Sequence, residues 1–122
     1  MHFPGNRPTL FQKFIAEHEP ALRTKNIWVT SPKYLVFSNL RAGELMYDPT
    51  VNTEEISALR KKLPQADYIF LDSLDLPCNP PADEECRQAR RELIAEIEQN
   101  FVKEFYANNP GLEITIGIFR RK

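Results

Sequence analysis

Two acids and one arginine carry the clearest chemical potential in this chain. Asp72 and Asp75 stand in an Asp-Ser-Leu-Asp run just after an apolar stretch, and Arg90 follows within a segment of helical periodicity. Two carboxylates at a strand end can hold a divalent cation through oxygen ligands, and a guanidinium beside them can grip an anion. Asp72, Asp75 and Arg90 are therefore the candidate ligand-binding residues, with a small anionic ligand as the natural occupant. Paired acids are also common in loops, so the plainer reading is an ion pair between Arg90 and Asp72 or Asp75. Arg90 needs some partner or outlet. It falls amid an apolar stripe that includes Cys86, Leu93 and Ile94, and an unpaired charge there is costly.

No nucleotide-binding loop, nucleophile motif or metal-ligand spacing accompanies these three, and no catalytic residue is assigned. Two cysteines and two distant histidines make a poor zinc set, so no metal site and no cofactor is expected. His18 reads as a histidine at the margin of an apolar helix face, without a catalytic partner. Cys78 and Cys86 flank a proline-rich connection. No secretory signal pattern precedes them, so they read as reduced thiols in a cytoplasmic protein. The alternative is a disulfide closing that connection onto the following helix.

The elements that position the candidate site are a strand, a long helix and a second strand. Residues 66–72 form an apolar, aromatic-rich run with both alternating faces apolar, as in a central strand. Three prolines at 77, 80 and 81 then stiffen an irregular connection. Asp83 is a good N-cap and Glu84 and Glu85 suit a first helical turn. A stripe of Cys86, Ala89, Leu93, Ile94, Ile97, Phe101 and Phe105 predicts a helix over 83–108, about 39 Å long at roughly 1.5 Å per residue. Residues 112–119 alternate as a strand with one core face and one wetter face. The predicted helix exceeds strands of roughly 17–20 Å, so its last turns would overhang the sheet. Phe101, Phe105 and Tyr106 are accordingly the candidate interface, either of a homodimer or against the first helix.

Upstream, Leu10, Phe11, Phe14 and Ile15 mark a helix from Thr9 that Pro20 ends or kinks. Residues 26–30, 34–37 and 44–47 read as an antiparallel β-meander, with Trp28 as a core aromatic. A short helix follows, capped near Asn52 or Thr53, with Ile56, Leu59 and Leu63 on one face and Pro64 as its stop. Residues 1–8 read as a flexible arm. The fold class is α/β (α+β): a single domain over 1–122 with a mixed sheet of about five strands, an N-terminal meander plus a β-α-β unit, and two to three helices.

Composition narrows the function classes. The chain has 122 residues, 42% hydrophobic and 27% charged, enough to bury a core in one soluble domain. A net charge of −1 lacks the basic excess of a dedicated nucleic-acid binder. No apolar run approaches the roughly 18 residues of a membrane span. The expected function is a small binding or interaction module, self-associating or regulatory, with an anion or small-ligand contact at the end of the central strand. The alternative is a hydrolase or transferase, divalent-metal-dependent, that uses Asp72 and Asp75 with Arg90.

Overall fold

Runs that bury both faces alternate along the chain with runs that bury a single stripe, and this alternation sets the layers. A computed structural model describes residues 7–31, 35, 38, 40, 42–45, 53–78 and 80–122. Among these the elements are α1 (Arg7–Leu22), β1 (Ile27–Val29), β2 (Ala42–Leu45), α2 (Thr53–Lys62), β3 (Tyr68–Asp72), α3 (Glu84–Asn100), β4 (Phe101–Asn109) and β5 (Ile114–Arg121). Short 3₁₀ turns lie at Leu63–Gln65, Ser73–Asp75 and Pro110–Leu112. The architecture is mixed α+β, with the described helices packed on a mixed sheet of order β2-β1-β3-β5-β4. No helix among the described residues is long and apolar enough to cross a membrane.

The antiparallel meander expected at the N-terminal end is not what forms. β1 runs parallel to both β2 and β3. The reason is visible in its residues: Ile27, Trp28 and Val29 are all buried, which demands cover on both faces and neighbours on both edges. Trp28 points into the core beneath α2 and α3, while Ile27 and Val29 join Phe11 and Ile15 of α1. The predicted middle strand at 34–37 lies outside the described residues except for Leu35. The capping residue Asn52 lies outside them too, as do residues 1–6 of the predicted arm; Arg7 and Pro8 belong to α1. Pro20 sits inside α1 without ending it, because it and Ala16, whose carbonyl loses its donor, both face solvent.

The helix predicted over 83–108 is also corrected. α3 stops at Asn100, where the Phe101 N–H still bonds the Ile97 carbonyl but Phe101 itself is extended. Residues 101–109 then form β4, antiparallel to β5 along its full length. Apolar residues at four-residue spacing fit either period over so short a run. The long partner strand decides, because pairing with β5 carries Phe101, Phe105 and Tyr106 into the apolar layers, where an overhanging helix would leave them uncovered. Since β3 and β4 are each antiparallel to β5, β4 runs parallel to β3 one strand away. The β-α-β crossover therefore exists, but it lands on β4 rather than on the last strand.

The sheet separates two apolar layers. On one face Ile69, Leu71 and Phe119 meet Cys86, Ala89, Leu93 and Ile97 of α3. On the other, Phe70, Ile116 and Ile118 meet Phe11 and Ile15 of α1. Phe11 and Phe14 pack on Phe70, with ring centroids 5.7 and 6.1 Å apart. Gly117 is required by close approach: a Cβ there would lie 2.8 Å from the Phe119 ring.

Cys78 and Cys86 form a disulfide, so the reading of reduced thiols is overturned. Both cysteines are buried in the layer beneath α3, at 5% and 1% exposure. The bond ties the proline-rich connection to the first turn of α3, and the cytoplasmic reading loses the support that free thiols gave it. With the cysteines at a sequence separation of 8, the entropic gain is about 2–3 kcal/mol. Replacing both cysteines by serine should lower the urea unfolding free energy by about that amount. A midpoint unchanged in the double variant, or on adding dithiothreitol to the native chain, would contradict the staple.

Candidate functional site

The exit from β3 is buried, so its polar groups are tied to the protein. Asp72 is fully buried. Its backbone N–H donates to Thr30 Oγ1 at 3.0 Å, and its Oδ1 accepts from the Leu74 N–H at 3.0 Å. That second bond caps the 3₁₀ turn Ser73–Asp75. The Thr30 hydroxyl lies 3.2 Å from Asp75 Oδ2 and 3.5 Å from the Phe70 carbonyl, and donates between them. Ser73 Oγ accepts from the Thr115 N–H at 2.9 Å and faces the Glu113 carbonyl at 3.4 Å. Thr30 and Ser73 thus link the ends of β1, β3 and β5 through side-chain bonds.

Arg90 does not pair with Asp72 or Asp75. Its Nη1 donates to the Leu76 carbonyl at 3.0 Å. Burial lowers its pKa and the nearby Glu113 charge pulls the other way; as a guanidinium it remains a cation. Among the described residues no carboxylate lies within ion-pair reach of it.

Arg87, one turn before Arg90, and Arg91, the next residue on the same helix, are placed differently. Both donate to Glu113, Arg91 at 2.7 Å, and both also meet Glu84. Glu113 follows the turn Pro110–Leu112 and holds a left-handed backbone, φ 54° and ψ 43°, which a non-glycine residue seldom adopts. The conformation aims its carboxylate back at α3. The Arg87 hydrogen bond, then that of Arg91, draws the Glu113 pKa down to about 2 despite desolvation.

Between the β3–α3 connection and the β4–β5 turn lies a shallow cleft of about 190 Å³, whose lining includes Leu74, Pro77, Cys78, Arg90, Leu112 and Glu113. Leu74 and Leu112 are 49% and 67% exposed, and are the large apolar residues left open among those described. A roomier cleft of about 350 Å³ lies at the far end of α3, between Arg60, Leu63, Glu96, Phe101 and Arg121. Its arginines already carry carboxylates: Arg60 meets Glu92 at 3.3 Å and Glu96 at 3.7 Å, and Arg121 meets Asp67 at 3.4 Å. Arg60 Nε has no hydrogen-bond partner, yet both arginines there face carboxylates, so of the two clefts the smaller one holds the arginine without a carboxylate partner among the described residues.

Of the other sequence candidates, Phe101, Phe105 and Tyr106 share no surface. Phe101 is buried, and Tyr106 packs on the same side, donating to Glu98 at 2.8 Å. Phe105 lies on the opposite side, in the α1 layer. The helical patch that suggested a dimer is absent because these residues lie in β4, where a bulge between Lys103 and Phe105 puts Phe105 on the face opposite Phe101 and Tyr106. His18 is exposed, stacked on Phe14 and bonded to its carbonyl at 2.9 Å. Among the described residues no three His, Cys, Asp or Glu side chains gather to hold a metal ion. Sequence reasoning missed Glu113, Arg87, Arg91 and both leucines. The i, i+4 spacing of Arg87 and Arg91 was the one available signal, since it aims two cations at one point.

The chain matches no protein-family model, no curated protein and no solved structure.

The folded pKa of Glu113 lies below its ordinary value of 4.5. The stabilisation from its ion pairs is therefore complete above the unfolded carboxylate range and is lost as pH falls toward about 2. Glu113→Gln should be less stable than the native chain at about pH 6, and the gap in urea midpoints should close between about pH 4.5 and pH 2. A gap that stays constant over that range would show that the pairing does not depress this pKa.

Proposed function

We propose that the protein is a small binding module that holds an anionic group against the Arg90 guanidinium, in the cleft between the β3–α3 connection and the β4–β5 turn. The observation that carries this reading is the contrast among three neighbouring arginines. Arg87 and Arg91 are committed to Glu113 and Glu84, whereas Arg90 bonds a neutral carbonyl. That bond engages Nη1 and leaves its other N–H groups without a protein acceptor among the described residues. A partly buried cation held in this way favours an ionised acceptor, and the hydrogen bond it would form is of the stronger, charge-assisted kind.

The catalytic alternative has less support. Asp72 and Asp75 are drawn into the backbone network at the end of β3, and Arg90 turns away from them to Leu76.

Inorganic phosphate and acetate test the proposal, titrated separately and followed by calorimetry. Losing one charge-assisted interaction costs about 1.5–3 kcal/mol, so Arg90→Gln should weaken binding roughly 10- to 100-fold. Arg60→Gln, in the other cleft, should leave it unchanged. Equal binding by the native chain and Arg90→Gln would overturn the proposal.

A further inference from the structure

We infer that the anion held at Arg90 is the C-terminal carboxylate of a peptide whose last side chain is aliphatic. This rests on the anion-binding reading of the cleft and gives it a partner. Three observations converge.

The first is the composition of the walls. Leu74 comes from the turn after β3, Leu112 from the β4–β5 turn, and Arg90 from α3. Three separate elements thus bring two solvent-exposed aliphatic side chains and one guanidinium to the same cleft. A chain terminus presents the matching pair of groups, because its carboxylate and its last side chain branch from one carbon. An internal aspartate or glutamate has a carboxylate where the aliphatic group should be.

The second is size. At about 190 Å³ the cleft is below the roughly 300 Å³ at which pockets usually engulf a whole small molecule. It has room for a carboxylate and one aliphatic side chain, with the remainder of the ligand lying outside. That suits the end of a longer chain.

The third is charge. Glu113 lines the same cleft and its carboxylate stays ionised under the two arginines that hold it. A monoanion on Arg90 neutralises one charge with one charge. A phosphate dianion would leave surplus negative charge facing Glu113 in a partly desolvated site. The guanidinium fork also matches a carboxylate's two oxygens.

The test uses the full chain and N-acetylated Gly-Ser-Gly-Ala-Leu in three forms: with a free C-terminal acid, with a C-terminal amide, and with serine replacing the last leucine. The free acid should bind saturably and at least tenfold more tightly than acetate. The amide should bind at least tenfold more weakly than the acid, and the serine peptide at least fivefold more weakly. Arg90→Gln should abolish the difference between acid and amide. Leu112→Ser, at an exposed position, should weaken the leucine peptide at least fivefold and erase its advantage over the serine peptide; a native circular-dichroism spectrum confirms that each variant is folded. Equal affinity for acid and amide, or for the leucine and serine ends, overturns the inference. If acetate or phosphate binds through Arg90 but the peptide binds no better, the peptide inference fails and the anion reading survives. If no probe binds, both fail.

Discussion

The central strand β3 ends in the interior, and the polar groups at its exit must be satisfied there without water. An unpaired buried N–H or carboxylate costs free energy comparable to a lost hydrogen bond or more. Thr30 and Ser73 meet that requirement. Thr30 accepts from the Asp72 N–H, and Ser73 accepts from the Thr115 N–H. The Asp72 carboxylate then turns the chain by capping the short 3₁₀ turn. β1, β3 and β5 are thereby fastened to one another at the end of the sheet where the candidate cleft opens. The acids that look most like ligands are part of that fastening.

The cleft follows from how the chain leaves this point. Prolines keep the connection to α3 out of regular structure, and the disulfide holds it against the first turn of the helix. Leu76 is consequently placed so that its carbonyl meets Arg90. Across the cleft, the left-handed backbone at Glu113 turns its carboxylate toward α3, where Arg87 and Arg91 hold it. Three cations within two helical turns would repel one another. Glu113 and Glu84 offset two of them, and the third is left at the cleft. These pairs are part-exposed and individually modest in energy. Their effect is on position and on local charge more than on stability.

Legibility in the sequence tracked the range of the interaction responsible. The α3 stripe from Cys86 to Ile97, its Asp83 cap, the burial of Trp28 and the central place of β3 were readable, since each depends on local period or composition. Phe101 and Phe105 were misread because they continue the helical spacing by four, and only the distant β5 pulls them into a strand. The parallel pairing of β1 with β2 is set by burial on both faces, which three residues are too few to announce. Arg90 stood out as a charge within an apolar stripe, yet its acceptor is a backbone carbonyl, which side-chain chemistry cannot reveal. Glu113 gave no sign at all, because a glutamate with positive φ is fixed by its surroundings.

The central claim is that Arg90, and not the pair Asp72 and Asp75, is the group a ligand touches. The most direct measurement follows the side-chain Nε–Hε resonances of the arginines by NMR during titration with acetate. The account predicts a saturable shift at Arg90, with Arg87 and Arg91 nearly still because Glu113 and Glu84 already hold them. An Arg90 signal that does not move, or equal shifts at all three arginines, would contradict it.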